Sequence, residues 1–376
     1  MASGSVERNS FRFRPAGGRW NDESKADLAA CLDVRAFVEA MKSGSDHSAP
    51  RNLVLAALLL ALPHCTTTPQ HAGVSSVSNE PRAAFELHSG MWINLHQELL
   101  HHARSTWKWR HRVLPERPID PAWKNTIDLY RTRYAELENL DVRLSSIAVD
   151  LATANGEGDV SSDNELRAAL SSAAETYRRK QWPEDDRRNR EWIERVTPLL
   201  DRYGDTMREE IASASDISWP KGTLRIEVVT FVDPFGAQTT DVPSPLTMIS
   251  SADPGYAGDA SLEMIFHEAS HLFDDQLRKG IIEESRQLGV PEPEGLWHAI
   301  LFYTAGYFAK KHLGESYVPY AEAQGLFKRG DWTRYQPIIA SEWEPRLRGG
   351  TSLREALRNV LRKLNPRTTR SEAKVR

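Results

Sequence analysis

The residues best equipped for chemistry in this chain are His267, Glu268 and His271, in the run His267-Glu268-Ala269-Ser270-His271. Two histidines four residues apart on a helix project from the same face, separated by about one 5.4 Å pitch. That separation suits two corners of a tetrahedral zinc site. Glu268 lies beside them and need not ligate. A carboxylate there can take a proton from a water polarised by the metal and pass it to a leaving amine. The chemistry implied is metal-assisted hydrolysis, with Glu268 as the base.

An element must hold these groups in place, and the flanks describe one. Leu262, Met264, Ile265, Phe266, Leu272 and Phe273 surround the run with apolar side chains, as expected of a helix inside a core. Asp259 or Ser261 can cap its start. Arg278, Lys279 and Gly280 read as a basic last turn and a stop. The expectation is one helix from about Asp259 to Lys279.

The run resembles the zincin superfamily of zinc metallopeptidases, over this one helix only. The resemblance implies a catalytic Zn2+, a glutamate base and a peptide or protein substrate. The third histidine of the metzincin pattern is absent, since Leu-Phe-Asp-Asp-Gln-Leu follows His271. What remains is a gluzincin-like plan, with the third ligand on a later helix. Such a helix is expected from the Pro291-Glu-Pro-Glu294 start to the Lys310-Lys311-His312-Leu-Gly314 stop. Glu294, 23 residues after His271, is the ligand a gluzincin would use. His298, 27 residues after His271, is the lone ionisable group of an apolar and aromatic segment and needs a partner. His298 is the preferred third ligand. Glu294 is the alternative, with Glu283 and Glu284 behind it.

Groups that could orient the ligands follow from helical spacing. Glu263 lies four before His267, and Asp274 and Asp275 lie three and four after His271. Tyr303, Tyr307, Tyr317 and Tyr320 are candidate donors to a developing oxyanion. Upstream, Leu224 to Val232 and Leu246 to Ser251 read as strands of a small sheet, with a turn at Asp233-Pro234-Phe-Gly236.

The remainder reads as helical: Phe85 to about Val113, Ala122 to Leu151, Glu165 to Tyr177 and Trp192 to Ile211. The charged stretch Trp182 to Arg190 reads as a solvated connection. The first segment carries His88, His96, His101, His102 and His111, whose spacing scatters them as surface and groove residues, with His88 and His96 as the pair to watch beside a cleft. Ser352-x-x-Glu355 is a capping box before an apolar stripe of Leu353, Leu357, Val360, Leu361 and Leu364. The fold expected is mainly α (α+β): a helical N-terminal region at 81–222, a zincin-like catalytic region at 223–366 and a tail at 367–376.

Composition bounds the partners. Lys+Arg 48 against Asp+Glu 52, a net charge of −4, gives no reason to expect nucleic acid. Residues 1–80 read as a leader and tether. Leu53 to Leu62 is an apolar run of signal-peptide length, too short to span a bilayer. Translation from Met41 would place Lys42 and Arg51 ahead of it. Leu62-Pro-His-Cys65 resembles a lipoprotein box in its Leu three before Cys and departs from it at Pro63 and His64, so export is expected, with a lipid tether as one option and a cytoplasmic protein as the alternative. Only Cys31 and Cys65 are cysteines, which leaves the body free of thiols and tolerant of an oxidising compartment. Two rival readings of the motif stand: a zinc amidase acting on other amides, and a helical binding protein in which the motif is structural or has lost its metal.

Overall fold

The computed structural model describes residues 84–104 and 117–366, apart from positions 139, 155, 157, 158, 161 and 162. The leader and tether, Met41, Cys65, His111 and the 367–376 tail lie outside the described residues. The chain is mainly α with a small mixed sheet.

In chain order the strands are β1 Phe85–His88, β2 Leu224–Val229, β3 Ala237–Thr240 and β4 Leu246–Ser250. They lie side by side as β1-β2-β4-β3. β1 and β4 both run parallel to β2, and β3 is an antiparallel edge strand on β4. Both faces of the sheet are covered, as parallel strands require. Alternation along the strands divides two cores. Leu224, Ile226, Val228 and Ile249 join a core with Phe266, Ile300 and Leu361. Val229, Leu246 and Met248 face the other, with Leu95, Trp123 and Leu170.

The second core is built by α1 Met91–Ala103, α2 Lys124–Arg133, α3 Val142–Thr153 and α4 Asn164–Lys180. The helix α5, Trp182–Ala214, then leads to the first core. There α6 Ala260–Ser270, α7 Asp274–Leu288 and α8 Leu296–Leu313 are followed by the short α9 Tyr320–Ala323, then α10 Trp332–Glu342, the short α11 Glu344–Leu347 and α12 Leu353–Leu364. No helix among the described residues is long and apolar enough to cross a membrane.

Several elements differ from expectation, each for a physical reason. Phe85 to His88 is a strand, because its backbone pairs with β2, Phe85 opposite Leu224. The boundary drawn at 222/223 is therefore crossed by the β1–β2 ladder. Trp182 to Arg190 is helical. Pro183 falls in the first turn of α5, where proline is tolerated. The dense charges there are matched along the helix, Arg187 to Glu184 at 2.7 Å and Arg190 to Asp186 at 2.7 Å. The histidines of α1 are core residues: His96 meets the Tyr130 hydroxyl at 2.8 Å, His101 meets Asp233 at 2.7 Å and His102 meets Glu98 at 3.1 Å. His88 instead lies half-exposed at the end of β1 with Glu86 at 3.6 Å.

The motif helix also ends early. After α6 the chain makes three successive tight turns, His271 N to Glu268 O, Leu272 N to Ala269 O and Phe273 N to Ser270 O, before α7 begins at Asp274. Gly280, the expected stop, is inside α7; a Cβ there would stand 2.7 Å from Leu357 Cδ1 on α12. It is a close-approach glycine, and the stop is the left-handed Gly289. The Ser352 cap of α12 and its stripe are as expected: Glu355 N donates to Ser352 Oγ at 3.2 Å, and the five stripe residues are buried.

Candidate metal centre

α6 is buried from Ser261 to Ser270, which places His267 and Glu268 in the core. His271 caps the C-terminus of α6. α8 lies against α6 and brings in His298 from its first turn, just after Gly295, whose φ of 69° sets the entry of the chain into α8. The side-chain nitrogens of His267, His271 and His298 converge within 4.8 Å of one another. His267 Nε2 and His298 Nε2 stand 3.3 Å apart. A tetrahedral zinc with Zn–N bonds of about 2.0–2.1 Å has ligand-to-ligand edges of about 3.3–3.4 Å. That pair is spaced as two corners of such a site, the His271 nitrogen lies within 4.8 Å of both, and a set of three imidazoles suits zinc or another borderline transition metal.

The electrostatics also suit a cation. Burial pushes His267 well below the ordinary histidine value, and the charges of His271 and His298 push the same way. Burial takes His298 down to about 3, with His271 adding to the effect and Asp274 opposing it. Both rings are therefore neutral, the form that ligates metal. His271 Nδ1 faces Asp274 Oδ2 at 3.3 Å, which leaves its Nε2 for the centre. Burial raises the Asp274 carboxyl, but hydrogen bonds from His271 and Arg278 with their charges bring it below its usual value. His267 Nδ1 is buried without a hydrogen-bond partner.

Glu268 is buried and accepts a hydrogen bond from Thr239 Oγ1 of β3 at 3.0 Å. Thr239 Oγ1 in turn meets Thr247 Oγ1 of β4 at 2.9 Å. Burial raises the Glu268 carboxyl above its usual value, opposed by the nearby His271 and the Thr239 hydroxyl. The edge strand thus holds the carboxylate beside the histidines.

Other candidates are placed elsewhere. Glu294 is exposed in the turn before α8 and outside the cluster. Glu284 is buried between Arg354 and Arg358, at 2.6 and 2.7 Å, and the exposed Glu283 bonds Gln287. Asp275 pairs with Lys279 at 3.5 Å on the surface. Glu263 accepts from Tyr317 Oη at 2.7 Å and Tyr320 N at 2.9 Å, and does not orient His267. Three of the candidate tyrosine hydroxyls are engaged away from the histidines: Tyr303 with Glu344, Tyr307 with Arg348 and Tyr317 with Glu263. The Tyr320 ring stacks between Tyr256 and Phe302.

Sequence reasoning missed Thr239, and missed the aromatic packing of the clustered histidines. Phe302 stacks on His267 at 3.6 Å and Trp297 on His298 at 4.8 Å. Trp332 meets His298 edge-on at 5.7 Å. The signal for Trp297 and Phe302 was present in helical spacing: they flank His298 at one residue and one turn. Comparison with known proteins found no matching family model, no matching curated protein and no matching solved structure.

Proposed function

We propose that this chain is a zinc-dependent hydrolase of zincin type, acting on amide bonds of a peptide or protein substrate. The observation that carries the reading is the convergence of three imidazoles within 4.8 Å of one another, two of them at the edge length of a zinc tetrahedron, beside the buried carboxylate of Glu268. The arrangement is gluzincin-like in taking its third ligand from a downstream helix, and departs from that plan in using His298 where a glutamate is expected.

His267, His271 and His298 would hold the ion. Zinc, when bound, supplies Lewis acidity, which polarises a substrate carbonyl and brings the pKa of water toward neutrality. Glu268 takes the proton of the attacking water and delivers it to the departing amine. Thr239 keeps one carboxylate oxygen occupied, and the other would accept that proton. Asp274 fixes the His271 tautomer. The edge strand β3 offers backbone groups to an extended substrate beside Glu268. Export, suggested by the apolar run at 53–62, belongs to the same proposal.

Elemental analysis of the purified chain tests the site. About one zinc per chain is expected for this ligand set, lost in His267→Ala and in His298→Ala. Glu268→Gln should keep the metal while cleavage of a peptide library falls by about 10²–10⁴-fold. Undiminished cleavage by Glu268→Gln would sink the mechanism, and a metal-free parent that cannot be reconstituted would sink the site.

A further inference from the structure

We propose that Arg278 is a positioning residue that secures two of the three histidines, His271 and His298, through a single guanidinium. The inference rests on the reading of the triad as a metal site.

Arg278 lies one turn after Asp274 on α7. Its Nη2 donates to Asp274 Oδ2 at 3.1 Å, and the same oxygen faces His271 Nδ1 at 3.3 Å. Its Cζ sits 3.3 Å from the centroid of the Trp297 ring. That ring stacks on His298 at 4.8 Å with planes 14° apart, and meets His271 edge-on at 5.8 Å. Two lines of contact therefore leave one guanidinium. The polar line ends on the ligand that closes α6, and the stacked line ends on the ligand that opens α8. Arg278 Nε is buried without a hydrogen bond, so Asp274 and the indole face are what orient the group.

Magnitudes separate this role from a structural one. An i,i+4 ion pair whose arginine is 39% exposed contributes little to folding. Loss of an outer contact that orients a ligand typically weakens metal binding by about 10- to 100-fold. Lysine cannot substitute, because its point charge could reach Asp274 but presents no plane to the indole.

The test uses the full chain. Zn2+ affinity is measured by competition with a chromophoric chelator, ligand geometry by the visible spectrum of bound Co2+, and fold stability by metal-free thermal unfolding. Arg278→Leu should bind Zn2+ about 10- to 100-fold more weakly and alter the Co2+ bands, while its metal-free melting temperature stays that of the parent. Arg278→Lys should recover only part of the affinity. Asp274→Asn and Trp297→Phe should each cost less affinity in the Arg278→Leu background than in the parent, because Arg278 acts through both of them. Zn2+ bound by Arg278→Leu as tightly as by the parent, or more tightly, overturns the inference. So do fully additive losses, or a fall in metal-free stability that accounts for the loss of affinity. A parent that binds neither ion removes the metal reading and this inference together; a parent that binds while Arg278→Leu is unchanged removes this inference alone.

Discussion

At the scale of residues, the site depends on a threonine as much as on the motif. Glu268, beside the histidine triad, accepts a hydrogen bond from the neutral hydroxyl of Thr239. A hydrogen bond to a charged group contributes about 1.5–3 kcal/mol, which corresponds to about 10- to 100-fold in rate if it holds the base in its working position. Thr239→Val keeps the shape and removes the donor. It should lower kcat/KM by about that factor with zinc content unchanged, and Thr239→Ser should restore most of the loss. A valine variant with parental kinetics would show that Glu268 is placed by its helix alone. The three clustered histidines and the neighbouring carboxylate were legible because the chemistry proposed for them is carried by residue type and spacing. His267, Glu268 and His271 sit at fixed helical offsets, and His298 is an ionisable group in a segment with no other use for one. Thr239 was not legible. Its relation to Glu268 exists only once β3 folds against α6.

At the scale of elements, legibility followed the strength of local signals. α12 was readable because Ser352 caps it and its stripe is unbroken. β2 and β4 were readable from β-branched runs. β1 and β3 are four residues each, and what makes them strands is pairing with distant partners. The break after His271 has no glycine or proline to announce it. It rests on Ser270 Oγ bonding Phe266 O at 2.7 Å, a local competitor of the helical ladder, and on the Phe273 ring packed against Trp219 at 5.4 Å. Asp274 and Asp275 were the missed sign, an acidic pair at a helix start. Packing between elements sets the distance between the clustered histidines, and Gly306 of α8 is a point of close approach to α6 and to the segment after α8. A Cβ there would lie 2.8 Å from Pro319 Cβ and 3.1 Å from Glu263 Oε1 of α6. Gly306→Ala gains about 1 kcal/mol of helix propensity, yet overpacking against a proline ring and a buried carboxyl costs about 1–3 kcal/mol. Calorimetry should find a lower melting temperature, and zinc affinity should fall with it, because α6 and α8 each carry histidines of the proposed site. A stabilised variant would mean that the two helices can part without cost.

At the scale of the whole molecule, two cores meet across one sheet, and α6 is tied in the first core to the segment that follows α8, one helical turn before His267. Glu263 is that tie. It lies on α6, is fully buried and accepts from Tyr317 and from the backbone of Tyr320, both in the segment that follows α8. Burial lifts its carboxyl to about 8; the Tyr317 hydroxyl opposes the shift and the charge of Glu322 adds to it. The sign of the pH effect follows from proton counting. The ordinary value of 4.5 describes the unfolded chain, so between there and about 8 the folded state holds a proton that the unfolded state has released. Folding stability therefore falls as pH rises through that window, by up to about 1.4 kcal/mol per unit from this group, and levels off above it. Glu263→Gln keeps an acceptor for Tyr317 and Tyr320 and cannot ionise. In metal-free protein its melting temperature should be close to the parent's near pH 5, pull ahead as pH rises to 8, and hold a constant lead beyond. The difference between the two proteins isolates Glu263 from every other titrating group. A gap that does not change with pH would mean that the carboxyl ionises in the folded state at its ordinary value, and that the tie between α6 and the segment after α8 is made by a charge.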